Sequence, residues 1–377
     1  MPLIARFEDM FGGLDKVPES LLYPSSNFAT YPRYGQYSTV VVITAEDGTT
    51  GVGEAFGLPT PKMSAVFINE VIGPMLIGKD PLHTSCIFEA LVAFPEKIGH
   101  TRGVIWEAIS GIDIALWDLK GKLLGVPVHT LIGGKQHERI ECYASPVQFF
   151  QTVEETKTKA REFVNRGFRT IKLKVGRGIE TDIAHVAAVR EEVGPNIRLL
   201  LDMNCGYDVR SAIMFAKELE PYRIGWFEEP ISPEDVDGLY AIHRAINVPL
   251  ATGENEFSVH GFREILKRGA VDVIMPNISR CGGITGMTRI NALAMAFGVK
   301  LSPHGVGGGI VIASSSQVMA AFKNSYLFEY NQLLNPLRHE LIDGLPAYGD
   351  GWLTIKDEPG LGFSLNEETV RKFAANN

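Results

Sequence analysis

At 377 residues the chain exceeds one ordinary domain and suits a barrel of about 200 to 250 residues with a smaller partner. Hydrophobic residues at 45% and charged residues at 21% place it among folded soluble proteins and exclude a disordered or fibrous one. A net charge of −8 argues against broad binding to nucleic acid or anionic membrane, which draws its affinity from clustered Lys and Arg.

The first residues, Met1 to Glu8, reach acidic side chains before any long apolar region, so no secretory signal is expected and the cytoplasm follows by default. No stretch approaches the roughly 20 apolar residues of a membrane span, since the run near Gly308 to Ala313 ends in serines. Tyr37 to Gly53 reads as two β-branched strands around Asp47-Gly48, a dipeptide suited to a tight hairpin. Val104 to Leu124 carries Ile105, Ile109, Ile112, Leu116, Leu119 and Leu123 at helical spacing and stops at Gly125 and Pro127. An α+β domain over residues 1–137 is therefore expected. Cys86, Cys142, Cys205 and Cys281 lie far apart with no CxxC or Cys/His grouping, as in a reduced intracellular protein.

From about Glu138 the pattern changes to short apolar strands alternating with amphipathic helices, the signature of βα units around a parallel sheet. Eight strands are predicted: Ile140–Ser145, Thr170–Val175, Arg198–Asp202, Gly225–Glu228, Leu250–Gly253, Asp272–Met275, Lys300–Ser302 and Tyr326–Glu329. Helices fill the gaps, for example Val153–Asn165, Asp182–Val193 and Ser211–Leu219. Eight parallel strands can close into a (β/α)8-type TIM barrel, here over residues 138–349, with residues 350–377 leaving it to pack on the first domain.

The chemistry-bearing residues sit at predicted strand ends. In Ile171-Lys172-Leu173-Lys174-Val175 the apolar side chains share one face and the two lysines the other, so both lysines point into the barrel if the apolar face meets the helices. A solvated lysine pair on an edge strand is the bland alternative, and the apolar neighbours weigh against it. Asp202, Glu228 and Glu254 end three successive strands, each 26 residues after the last. A single such acid is more often a helix cap than a ligand. Three at a regular interval fall on neighbouring strands at one rim and call for a cation. Oxygen-only ligands with room for water and substrate favour Mg²⁺. The next strands end in Asn277, His304 and Glu329. A lone histidine is usually structural, but of the nine here only His304 sits at a predicted strand end, across the barrel from Lys174.

Together these residues resemble the enolase superfamily, mandelate racemase type, over nearly the whole chain. The resemblance rests on Lys172-x-Lys174, Asp202, Glu228-Glu229-Pro230, Gly253-Glu254-Asn255, Cys281-Gly282-Gly283-Ile284-Thr285 and Ser302-Pro303-His304, in order and spacing. The muconate-lactonizing branch places a lysine at the sixth strand, where this chain offers only Arg280 and Asn277. The resemblance implies a modified, enolase-like barrel with an α+β capping domain completed by the C-terminal segment. It implies that Asp202, Glu228 and Glu254 bind Mg²⁺, which chelates a substrate carboxylate and steadies the enediolate left when the α-proton departs. Lys172 would neutralise the same charge. Lys174 would be the base, its pKa lowered by Lys172 and the metal. Glu329 would donate to the developing oxyanion if protonated, and Asn204 would touch the substrate or a ligand. The family also implies a small carboxylic acid substrate and a homo-oligomer.

One position departs from the family. The partner of the strand-seven histidine is normally an aspartate, and here it is Asn277. An amide can orient the ring without stabilising imidazolium, so His304 is expected to be a weak base. A racemase needs a competent base on each face. A dehydratase manages with Lys174 as base and His304 as acid, so an acid-sugar dehydratase giving a 2-keto-3-deoxy acid is the first expectation. A racemase or epimerase of a 2-hydroxy acid and a catalytically inactive relative are the alternatives. The glycine-rich Gly305-Val306-Gly307-Gly308-Gly309 is a weak pointer to a nucleotide, because no Walker lysine follows. By resemblance, substrate choice falls to two loops, roughly Leu21–Gln36 and Glu54–Met63. Arg33 in the first either grips a second anionic end of a polyol or serves a domain interface.

Overall fold

The computed structural model describes residues 1–25, 28 and 30–375. The N-terminal part is a three-stranded antiparallel sheet of β1 (Pro2–Arg6), β2 (Gly35–Thr44) and β3 (Thr50–Phe56), in the order β1-β2-β3. The hairpin between β2 and β3 turns at Gly48, which holds φ 86°, where a side chain is disfavoured. The helix Val104–Leu124 lies across this sheet, and its Ile109, Ile112 and Leu116 are buried there with Val41 and Ala55. Contact is close because Gly51 and Gly53 carry no side chain. A Cβ at Gly53 would stand 2.0 Å from the Gly111 carbonyl oxygen, and one at Gly51 would stand 2.1 Å from that of Ala115.

The barrel strands follow: β4 (Arg139–Val147), β5 (Thr170–Lys174), β6 (Arg198–Asp202), β7 (Ile224–Glu228), β8 (Leu250–Thr252), β9 (Val273–Ile274), β10 (Lys300–Leu301) and β11 (Phe328–Asn331). Neighbours pair in parallel from β4 to β10, and β11 returns to pair with β4. A parallel bridge from Leu301 to Ser325 closes the circle. These are the eight strands that the alternating pattern predicts. The last is displaced, because its ladder with β4 begins at Phe328 rather than Tyr326, which pairs by its amide with Leu301 instead.

Alternation on each strand separates two interiors. Ile171, Leu173, Leu199, Leu201 and Phe227 face the helices in the main core, whereas Tyr143, Leu200, Trp226, Ala251 and Met275 fill the lumen. Lys172 lies on the lumen side, with its ammonium 5.4 Å from the centre of the Tyr143 ring. Lumen packing thus plugs the barrel below the site and leaves the carboxyl ends of the strands as the open rim.

After β11 come β12 (Ile342–Asp343), β13 (Tyr348–Gly349), β14 (Trp352–Thr354) and β15 (Ser364–Leu365). The C-terminal segment holds both parts of the molecule. β14 pairs antiparallel with the start of β4, while Leu361 donates its amide to buried Asp118 and Ala374 bridges Leu3. Among the described residues no helix is long and apolar enough to cross a membrane.

Candidate active site at the barrel mouth

Registered strands put the three acids side by side. Lys174 pairs with Asp202 across β5 and β6, and Asp202 pairs with Glu228 across β6 and β7. Glu254 lies two residues beyond β8, where Gly253 adopts φ 128°. Asp202, Glu228 and Glu254 are all buried, each offering an oxygen within 4.8 Å of the others. Just past these ends the chain turns sharply. Asn204, Cys205 and Glu229 have φ of 42°, 60° and 40°, a region that side chains rarely occupy and that recurs at functional sites.

The lysines are held inside this acid cluster. Lys172 Nζ lies 2.6 Å from Glu228 Oε1, 3.1 Å from Glu329 Oε1 and 3.4 Å from Asp202 Oδ2. Lys174 Nζ lies 2.5 Å from Asp202 Oδ2 and 2.7 Å from Asn204 Oδ1. Two ammonium groups thus face four buried carboxylates, counting Glu329, and burying unpaired charge is costly. Burial and the charge of Asp202 push Glu228 well above the usual carboxylate range and Glu254 up to about 7. Burial with Glu254 and Asp202 lifts neighbouring Glu229 to about 8. Among the described residues Oε2 of Glu254 has no hydrogen-bond donor. Oxygen-only donors, crowded negative charge and an orphaned carboxylate oxygen all fit a hard divalent cation at Asp202, Glu228 and Glu254.

Two expectations about ionisation turn on the balance of charge at the rim. Burial and Lys172 press the Lys174 ammonium downward, but Asp202 in contact outweighs both and the net shift is upward; the expected lowering needs a cation to draw Asp202 away. Glu329 is drawn toward its ionised form. Burial favours the acid, yet Lys172 and the Gly305 amide at 2.7 Å from Oε2 override it and lower the carboxyl pKa below its usual range. An ionised Glu329 accepts hydrogen bonds and cannot donate one.

His304 follows β10 and faces Lys174 across a cavity of about 320 Å³ whose wall includes Asn204, Glu254 and Glu329. Burial depresses its pKa to about 3, so the ring is neutral. Asn277 Nδ2 lies 3.0 Å from His304 Nδ1. Arg280, stacked 4.5 Å over Phe56 and 4.8 Å over Phe257, meets Glu107 at 3.1 Å and reaches the Glu254 carbonyl. It is a cationic wall residue to which the sequence reading assigned no part in the site; its only sequence signal is its place three residues after a strand end.

Both loops named from the sequence border the cavity, through Ser25, Phe28, Tyr31 and Arg33 of the first and Phe56 and Leu58 of the second. Ser26, Asn27 and Ala29 of the first loop lie outside the described residues. Arg33 is buried and donates to the Gly35 carbonyl and to Gln36 Oε1, and Gln36 in turn reaches the Leu334 carbonyl on the barrel. Among the described residues Arg33 meets no carboxylate, and burial lowers its pKa to about 10. Glu54, named from the sequence only as the start of the second loop, lies two residues before the end of β3 and accepts from the Gly308 amide at 2.7 Å, which ties the first part of the chain to the loop that follows His304.

Comparison with known proteins agrees with this geometry. Residues 155–369 match the model described as enolase C-terminal domain-like, and residues 26–133 match that of the mandelate racemase / muconate lactonizing enzyme N-terminal domain. The chain is 35% identical to the D-galactarolactone cycloisomerase of Agrobacterium fabrum, covering 90% of this chain and 92% of that one. It is 32% identical to the L-talarate/galactarate dehydratase of Salmonella typhimurium, covering 90% and 84%. Among solved structures, a racemase from Streptomyces coelicolor with bound magnesium superposes with a TM-score of 0.88 at 28% identity, covering 100% of this chain and 99% of the other.

Proposed function

This chain belongs to the enolase superfamily, of the mandelate racemase and muconate lactonizing type, and we propose that it dehydrates a sugar acid with a single base. Lys174 takes the proton α to the carboxylate, and the electron pair left behind becomes an enediolate. That pair then expels the β-hydroxyl, and the proton taken by Lys174 and the departing hydroxide sum to the one water lost. The enol so formed tautomerises, losing its hydroxyl proton and gaining one at C3, to a 2-keto-3-deoxy acid. Asp202, Glu228 and Glu254 would hold Mg²⁺, which supplies Lewis-acid stabilisation of the substrate carboxylate and draws the charge of Asp202 away from Lys174. Lys172 adds positive charge beside the same carboxylate oxygens. Asn204 steadies Lys174 by accepting from it, and ionised Glu329 holds Lys172 and the Gly305 amide in place. Arg33, on the cavity wall, would meet a second anionic or polar end of the substrate.

One observation carries the reading: Lys174 stands at the acid rim, while the group opposite, His304, is backed by an amide instead of a carboxylate. Relatives named as dehydratases of arabinonate, xylonate and galactonate support the substrate class. Incubating the enzyme with Mg²⁺ and a panel of sugar acids, followed by semicarbazide detection of keto acid, tests it. Keto acid is expected from at least one member, and a panel with no turnover overturns the reading.

The 35% identity to a cycloisomerase favours a second reading, in which the enediolate expels a ring oxygen of a lactone. Its product is an isomer of the substrate, whereas the dehydratase product is lighter by one water. Including lactones in the panel separates the two by mass. A racemase would instead return unreacted substrate with deuterium and inverted configuration.

A further inference from the structure

Asn277 lies three residues beyond β9 with both sides of its amide committed. Its Oδ1 accepts from the Ser279 amide at 2.9 Å and from the Ser279 hydroxyl at 2.7 Å. Its Nδ2 donates to the Val306 carbonyl at 3.0 Å. Rotating the amide by half a turn would set its NH₂ against the Ser279 N–H and its oxygen against the Val306 oxygen, two repulsive contacts in place of two hydrogen bonds. The orientation is therefore decided by groups other than the histidine. What remains free to meet His304 Nδ1, at 3.0 Å, is an N–H.

From this we infer that His304 is locked in the tautomer whose proton sits on Nε2, so that it serves as a fixed hydrogen-bond donor and never as a base. An N–H facing Nδ1 requires a lone pair there, and a neutral ring then carries its proton on Nε2. Nε2 lies 3.2 Å from Glu254 Oε2 without forming a hydrogen bond, so the tautomer is set at Nδ1. In a His–Asp pair the carboxylate takes the Nδ1 proton and leaves the Nε2 lone pair to remove protons. Here both assignments are reversed. Neither nitrogen of His304 has a lone pair available to a C–H bond, so proton removal falls to Lys174 alone. His304 instead presents an N–H to an oxygen in the cavity, where a departing or developing oxyanion gains most from a preorganised donor. Asn277 and Ser279 are the positioning residues that set this polarity.

The inference rests on the single-base reading for its consequence but not for its test. Nitrogen-15 histidine-labelled protein, examined by NMR with and without Mg²⁺, reports the tautomer directly, and His304→Gln identifies the relevant signals by their loss. His304 is expected to show an unprotonated Nδ1 and a protonated Nε2. A proton on Nδ1 in the native protein overturns the inference whatever the products turn out to be. Asn277→Asp is expected to move the proton to Nδ1 and to raise inversion of configuration at the α-carbon from the native level, read as deuterium in recovered substrate. An unaltered tautomer in that variant, once folded, would equally overturn it. A sugar-acid panel without turnover sinks the dehydratase reading and leaves the native spectrum as it was.

Discussion

Lys172 and Lys174 differ by two positions on one strand, yet their surroundings give them different work. Lys172 is enclosed, and it meets Glu228, Glu329 and Asp202 at once. Lys174 opens onto the cavity and, among the described residues, meets only the carboxylate of Asp202. Replacing Lys174 by Ala is expected to lower turnover roughly 100- to 10,000-fold, the range for losing a general base, and to abolish exchange of the substrate α-proton. Mg²⁺ affinity, measured by calorimetry, should stay near the native value because all three acids remain; exchange that survives would mean another group is the base. Lys172→Met should act on the fold instead. It strips the cation from three buried carboxylates, which costs on the order of 3 to 5 kcal/mol in urea unfolding without metal. Mg²⁺ should recover part of that loss.

The hairpin strand β3 does two jobs whose signatures are separable. At Gly53 it lets the sheet touch the helix Val104–Leu124, and Gly53→Ala forces a Cβ to within 2.0 Å of a backbone oxygen. Backbone cannot yield as a flexible side chain can, so unfolding free energy should fall by about 3 kcal/mol. At the next position Glu54 accepts from the Gly308 and Val311 amides at the start of the helix Gly309–Ala321. Burial raises its pKa from 4.5 to about 7, against those donors. A carboxyl with a raised folded pKa binds its proton more tightly when folded. Its stabilising contribution is therefore complete below about pH 4.5 and is lost as pH rises to about 7. Relative to Glu54→Gln, the native protein should lose at most about 3 kcal/mol across that window, at 1.36 kcal/mol for each pH unit. A difference that does not change with pH would show that Glu54 titrates like an exposed acid.

Across the whole molecule, the excess of carboxylates at the rim would tie stability to a bound cation. A ligand that binds only the folded state at about 100 times its Kd stabilises by roughly 2.7 kcal/mol. Millimolar Mg²⁺ is expected to raise the thermal midpoint and a chelator to reverse the rise. Asp202→Asn should blunt the response, because it removes a ligand shared with Lys174. A midpoint indifferent to Mg²⁺ would remove the cation from the site.

Strand and helix positions were legible because alternation and 3.6-residue spacing are local properties of the chain. Even the meeting of Asp202, Glu228 and Glu254 follows from equal spacing on successive βα units, since one unit advances one strand around the barrel. The last strand was misplaced by two residues because its partner β4 lies at the other end of the barrel sequence, and pairing, not local pattern, set its register. Ionisation was beyond local reading for a related reason. Whether Glu329 keeps its proton depends on Lys172 and the Gly305 amide together, and the upward shift of Lys174 depends on Asp202. The sequence alone established that an asparagine backs the histidine. Only the tertiary structure decided which way that amide faces, because Ser279 and Val306, not His304, compete for its two ends.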